Sequence, residues 1–185
     1  GNSMDNGACS YRRFLDGEET AFDEIMKELF DNLVFFINRY VHDLHAAEDI
    51  AIDTFSDLVV NKHRYNFKVT LKTYLFMIGR SRALNYIKHR KVINFVELNE
   101  TDKVPSENET LEEIIITDEK KRILNNAISS LNDDMRVVVH LIYFEDMSYS
   151  EAAKVMGKTK KQIDNLLYRS KAQLRIILGK EGELL

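Results

Sequence analysis

The stretch Ser-Tyr-Ser-Glu-Ala-Ala-Lys-Val-Met-Gly-Lys-Thr-Lys-Lys-Gln-Ile-Asp-Asn-Leu-Leu-Tyr-Arg-Ser-Lys-Ala-Gln-Leu, residues 148–174, reads as two helices joined by a glycine turn. Ser148 is placed to cap the first helix, and Glu151 stands three residues on, as a capping box requires. Ala152 and Ala153 are small enough to let a second helix come close. Gly157 can adopt the left-handed conformation that ends a helix, and Thr159 can cap the next. The second helix turns Ile163, Leu166 or Leu167, and Leu174 inward. This is the spacing of a helix-turn-helix, whose second helix enters the major groove of DNA.

The outward side of that second helix carries Lys160, Lys161, Gln162, Asn165, Arg169 and Lys171. Lysine and arginine suit phosphates or guanine edges, and glutamine and asparagine suit adenine edges. The first turns of a recognition helix reach the bases, so Lys161, Gln162 and Asn165 are assigned to readout. Arg169 and Lys171 are assigned to phosphates.

Upstream, Asp133 to about Phe144 predicts a helix with Met135, Val138, Val139 and Ile142 inward, and Ile114, Ile115, Ile123, Leu124 and Ile128 predict one ending near Ser130. Residues 94–113 break the periodicity. They hold seven acids, one lysine and the single proline, Pro105, and read as an acidic linker. Ahead of it three more helices are expected. Glu19 to about Val41 carries Phe22, Ile25, Met26, Leu29, Phe30, Leu33, Phe36, Ile37 and Tyr40 at helical spacing, with Thr20 as its cap. Ala46 to Asn61 carries an Ala47, Ala51, Phe55, Val59 stripe with Ile50 and Leu58 beside it. Leu71 to Arg90 turns Leu71, Tyr74, Leu75, Ile78 and Ile87 inward. The expected architecture is therefore all-α: two small helical domains, residues 10–93 and 114–180, joined by the acidic linker 94–113, the second containing the helix-turn-helix. One proline and seven glycines in 185 residues agree with long helices.

Net charge is -4, which is unusual for a DNA-binding chain until it is resolved along the sequence. Residues 1–61 carry four Lys/Arg against thirteen Asp/Glu, whereas 62–91 carry nine Lys/Arg and no acid. Residues 92–157 are acidic again, six basic against fourteen acidic, and 158–185 return to seven basic against three acidic. Two cationic surfaces separated by an acidic stretch are thus expected. The first includes Lys72, Arg80, Arg82, Lys88, Arg90 and Lys91, interleaved with Tyr74, Phe76, Asn85 and Tyr86. Cations beside aromatics fit phosphates and unpaired bases, and the loop 63–70 ahead of them fits an extruded base.

No apolar run reaches the roughly 20 residues that span a bilayer, and no signal-peptide pattern opens the chain, so a cytoplasmic protein without membrane insertion is expected. Cys9 stands alone, and the pair His42 and His45 has no completing ligand cluster, so no metal or cofactor is expected. Neither a phosphate-binding glycine loop nor a nucleophile elbow occurs, which argues against an enzyme. An autonomous helix-turn-helix repressor is the competing expectation.

Taken together, these segments resemble the extracytoplasmic-function sigma factors of bacterial RNA polymerase, over nearly the whole chain from about Tyr11. His-Ala-Ala-Glu-Asp-Ile-Ala-Ile-Asp-Thr-Phe-Ser-Asp-Leu-Val-Val, 45–60, is similar to the family segment that docks on the clamp helices of the largest polymerase subunit. The resemblance, with the charge pattern, implies that Glu48, Asp49, Ile50, Asp53 and Phe55 bind core polymerase, the acids by charge and Ile50 and Phe55 by apolar contact. Residues 70–91 resemble the segment that melts and reads the minus-ten element, with Lys72, Tyr74, Arg80, Asn85, Lys88 and Arg90 as candidates. Residues 131–175 resemble the domain that reads the minus-35 element, which casts Thr159, Lys160, Lys161, Gln162, Asn165, Arg169 and Lys171 as its contacts. The resemblance also implies a linker threaded through the polymerase near the RNA path, and core polymerase, promoter DNA and an anti-sigma factor as partners. Several positions differ from the family's habit: Ile52 for glutamine, Asp53 for glutamate, Tyr74 for tryptophan, Ser81 for asparagine and Arg82 for an aliphatic residue. Asp164 and Leu166 stand where basic residues are frequent.

Overall fold

The computed structural model describes residues 6–96 and 119–179. They fall into two compact units, one within residues 1–103 and one within 104–185. Among the described residues all regular structure is helical.

The N-terminal unit comprises α1 (Asn6–Leu15), α2 (Glu19–Val41), α3 (Leu44–Val60) and α4 (Leu71–Val96). Its central element is α2, which packs against the other three. Ile25, Leu33, Phe36 and Ile37 recur at helical spacing on its buried face, and each such side chain stabilises the fold by about 1.5–3 kcal/mol on burial. Gly79 of α4 packs directly on α2. A Cβ there would stand 2.8 Å from Leu33 Cδ1 and 3.4 Å from Ile37 Cδ1, so glycine lets the two axes close. One turn earlier Phe76 stacks on Phe36, with ring centres 4.6 Å apart and planes at 14°.

Four expectations for this unit are corrected. A helix before residue 19 was not expected, yet α1 begins at Asn6, ahead of the expected domain boundary at residue 10. Its ten residues are a shorter window than periodicity needs to be read in sequence, but Tyr11 is fully buried. Thr20 does not cap α2: Glu18 holds that position without a side-chain cap bond, and Thr20 lies inside the helix. Val59 was placed on the buried stripe of α3 and is exposed. Finally, α4 runs on to Val96, taking in the first residues assigned to the linker. The remainder of that linker, with Leu111, Ile114 and Ile115, lies outside the described residues.

The C-terminal unit comprises α5 (Glu119–Ser129), α6 (Asp133–Val139), a π turn His140–Phe144 that continues α6, α7 (Tyr149–Met156) and α8 (Lys160–Leu178). Asn132 caps α6 through Met135 N at 3.0 Å. The guanidinium of Arg136 closes the α5–α6 turn, donating to Leu131 O at 2.8 Å and to Asp133 at 3.1 Å. The core forms where α8 packs against α5, α6 and α7. Ile128, Val138, Leu141, Ala152, Ile163, Leu167 and Leu174 fill it.

Candidate nucleic-acid and polymerase surfaces

The helix-turn-helix is built by local hydrogen bonds at each corner. Ser148 Oγ accepts from Glu151 N at 3.1 Å, and Glu151 Oε1 accepts from Ser148 N at 3.3 Å. Gly157 has φ 64 and ψ 37, the left-handed conformation that ends α7. Thr159 Oγ1 then accepts from Gln162 N at 3.1 Å, while Gln162 Oε1 accepts from Thr159 N at 2.8 Å. Two capping boxes within one short motif fix where each of the two helices begins. Lys158 adds an ion pair with Asp134 at 3.3 Å, tying the entry of α8 to the start of α6.

Thr159, Lys160, Lys161, Gln162, Asn165 and Arg169 are all exposed on α8. Gln162 differs from expectation: its amide oxygen, the group that would accept from an adenine, already serves the cap. Lys171 is half-buried, with its ammonium 5.8 Å from the centre of the Tyr143 ring. Leu166, one of the departures from the family's habit, is buried and belongs to the core. A residue missed from sequence is Tyr168, 75% exposed. It follows Lys161 by seven positions and Asn165 by three, so all three share a face of a helix with 3.6 residues per turn. That spacing was available, but an aromatic on an amphipathic helix reads first as core.

On α4 the six minus-ten candidates do not form one surface. Tyr74, Ser81, Asn85 and Lys88 fall on one side by helical spacing, whereas Lys72 and Arg90 fall on the other. Lys72 is half-buried, its ammonium 5.8 Å from the Phe76 ring. Arg80 donates to Tyr40 Oη at 3.2 Å. Arg82 stands 3.8 Å from Asp57. Phe76, counted among the interleaved aromatics, is fully buried and cannot stack on a base. Tyr74, expected to point inward, is half-buried with its ring 4.9 Å from Tyr65. Burial raises its hydroxyl pKa against the lowering influence of Arg64. Asn85, Lys88, Arg90 and Lys91 are exposed.

Residues 61–70 connect α3 to α4. Lys62, His63, Arg64 and Lys68 are exposed there, around a buried Tyr65 and a half-buried Phe67. The loop rests on α1. Tyr11 Oη donates to Lys62 O, and its ring meets Tyr65 edge-on at 5.3 Å and Phe67 at 6.0 Å. Burial, with a smaller push from Tyr74, moves the Tyr11 hydroxyl pKa up to about 12, so it stays a donor at neutral pH.

On α3 the acids stand as expected: Asp49 and Asp53 are exposed and Glu48 is half-buried. The apolar partners do not. Ile50 is 7% exposed and Phe55 is 2% exposed, because α3 packs against both α2 and α4 and loses a broad face to the core. Ile50 presents no free apolar surface, and Phe55 shows only the part that floors the groove described next. The most exposed apolar residues of α3 are instead Ile52 at 51% and Val60 at 79%. With Val59, Phe22 and Met26 they line an apolar groove of about 380 Å³, with Phe55 also in its lining. By helical spacing Asp49, Ile52, Asp53, Ser56 and Val60 share one face, so acids and aliphatics alternate there. Among the described residues no cluster of three or more His, Cys, Asp or Glu side chains is placed to hold a metal ion. No helix among them is long and apolar enough to cross a membrane.

The family model for Sigma-70 region 2 matches residues 25–92, from the second turn of α2 through most of α4. The model for Sigma-70, region 4, matches residues 121–174, which include the helix-turn-helix. The chain is 24% identical to the ECF RNA polymerase sigma factor SigM of Bacillus subtilis, over 85% of this chain and 95% of SigM. Its fold is similar to the sigma factor RpoE of Bartonella quintana, solved in complex with the anti-sigma factor NepR. The TM-score is 0.66 at 20% identity, over 85% of this chain and 96% of the other. It is also similar to CnrH, solved with the cytosolic domain of CnrY, at TM-score 0.63 and 17% identity over 94% of both chains. The chain belongs to the sigma-70 family of RNA polymerase sigma factors, in its extracytoplasmic-function class, and so directs promoter-specific transcription initiation without catalysis of its own. An autonomous repressor would have no use for the region 2 unit, and that alternative falls.

Proposed function

We propose that the two units divide promoter recognition as their surfaces suggest. The N-terminal unit, expected over residues 10–93 and extended here to α1, binds core polymerase through Glu48, Asp49, Asp53 and the aliphatic Ile52 and Val60. It opens and reads the minus-ten element with Tyr74, Asn85 and Lys88, while Lys72, Arg80 and Arg90 act on phosphates. The C-terminal unit, within residues 114–180, reads the minus-35 element with Lys161 and Asn165. Arg169 and Lys160 contact the backbone, and Thr159 and Gln162 set the helix start. One observation carries this division: Lys88, Arg90, Lys160, Lys161 and Arg169 all face solvent and make no ion pair with the chain's own acids among the described residues. Charges held open in this way gain counterion-release energy when they meet phosphates. The acidic segment 94–113 joins the units and keeps affinity for free DNA low. The protein works in the cytoplasm and is held by an anti-sigma factor, as its neighbour RpoE is by NepR.

Run-off transcription with purified core polymerase and genomic DNA fragments tests the proposal. The full chain should start discrete transcripts that core alone does not. Asp49→Lys with Asp53→Lys should abolish retention of the chain by core in a pull-down, and Lys161→Ala with Asn165→Ala should spare that retention while erasing the transcripts. Unchanged retention in the first variant overturns the docking surface, and unchanged transcripts in the second overturn the readout.

A further inference from the structure

Residues 61–70 have the composition of a nucleic-acid contact but no regular structure of their own to hold it. Four cationic or imidazole side chains, Lys62, His63, Arg64 and Lys68, project from ten residues that are neither helix nor strand. The ends are tethered by their neighbours. Asn61 bonds back to Asp57 through both its backbone N–H and its side-chain amide, at 2.9 and 2.8 Å. Thr70 caps α4, its Oγ1 accepting from Thr73 N at 3.1 Å. Between these ends the loop has a left-handed, non-glycine residue, Phe67 at φ 62. Such a conformation is costly for a side chain with a Cβ and persists only where surrounding contacts over-determine it.

Those contacts come from α1. The Tyr11 hydroxyl donates to the Lys62 carbonyl, and its ring lies beside both Tyr65 and Phe67. Tyr65 in turn donates to Val69 O and packs on Tyr74. On the outer side the Arg12 guanidinium sits 4.6 Å from the centre of the Phe67 ring. A buried hydroxyl thus fixes the loop backbone near its start, and a cation on the aromatic face holds Phe67 from outside.

We infer that α1 is a positioning element for the 61–70 loop, with Tyr11 and Arg12 holding the loop in the one shape in which it contacts an unpaired promoter base. Tyr11 touches no DNA. It acts through Lys62 and Phe67, and Arg12 adds one more positive charge at the loop's edge beside Lys62, Arg64 and Lys68. The inference rests on the assignment of this surface to the minus-ten element.

The test uses the full chain bound to core polymerase and a pool of duplexes that carry a short, permanently unpaired, randomised segment. The wild-type holoenzyme should enrich particular bases at one or more unpaired positions. Tyr11→Phe, which removes only the hydroxyl, and Arg12→Ala should each cut the enrichment at one position about five-fold, the equivalent of one hydrogen bond. Other positions and retention by core should not change. Arg13→Gln removes a charge from the next position, where the side chain pairs with Glu18 and Glu24 at 2.7 and 2.8 Å, and should leave every ratio as in the wild type. Unchanged ratios in both variants overturn the inference, as does a loss spread evenly over all positions, which would mean that α1 only supports the fold. Should Tyr11→Phe fail to fold, the exposed Arg12→Ala decides the matter alone. If the wild type starts transcripts on paired promoters but enriches no unpaired base, the inference falls while the sigma-factor assignment stands. If it starts none, the assignment falls first.

Discussion

Helices α3 and α8 are each amphipathic, and each carries a candidate surface, but they differ in how wide an arc of the helix their neighbours cover. The last helix, α8, lies across the C-terminal unit with α5, α6 and α7 on one side. Its buried residues, Ile163, Leu166, Leu167, Ser170 and Leu174, form a single stripe, and what is left over faces solvent. In contrast, α3 packs against both α2 and α4 along adjoining parts of one broad face. Ala47, Ile50, Ala51, Thr54, Phe55 and Leu58 all go under, and by helical spacing they cover a wider arc than the stripe of α8. A narrow buried stripe lets outward residues be read by subtraction. A broad buried face defeats subtraction, because a residue beside the stripe can belong to a second interface.

The largest test of this contrast is Phe55→Ala. A residue that floors the N-terminal core should cost about 3–5 kcal/mol on truncation, seen as a lower urea midpoint for unfolding of the full chain. If Phe55 were a surface anchor for polymerase, stability would barely move and only retention by core would fall. Its counterpart in the other unit, Ile163→Ala, should cost about 2–5 kcal/mol by the same logic. A loss confined to DNA binding would mean that α8 is not seated as described.

A smaller effect sharpens the comparison at the start of α8. Thr159→Ala should destabilise the C-terminal unit by about 1 kcal/mol. Gln162→Ala should act in the same direction, since its oxygen completes the same box. Both variants should weaken promoter binding without changing base preference, measured by competition among substituted promoters. A shift in preference at a single base pair on Gln162→Ala, with the unfolding midpoint unchanged, would return Gln162 to the readout group. The smallest stability effect belongs to Ile52→Ser. An exposed side chain should change stability by no more than about 0.5 kcal/mol, yet retention by core should drop, because Ile52 stands between Asp49 and Asp53 on the docking face. Full retention would remove the aliphatic part of that surface.

The helix-turn-helix was legible because its signals are local. Ser148 with Glu151, Gly157, and Thr159 each act within a few residues, so their pattern in the chain is already their geometry. The second box, closed by Gln162, follows the same rule with glutamine in place of glutamate, but a polar residue early in a recognition helix reads first as a base contact. Helix positions and the all-α class were likewise carried by periodicity and by the scarcity of proline and glycine. The segregation of charge along the chain pointed to two cationic surfaces without any knowledge of the fold.

What the sequence determined by itself, then, is the set of helices, their caps, the alternation of acidic and basic stretches, and the membership these together betray. Which side chains of α3 and α4 reach solvent was decided only by tertiary packing. Phe76 went to Phe36, Ile50 and Phe55 went under, and Ile52, Val59 and Val60 came out. The seating of α1 against the 61–70 loop was also beyond reach, since Tyr11 and Lys62 are 51 residues apart. Periodicity reports that a helix has an apolar side, but the number of partners that share it depends on contacts between distant residues.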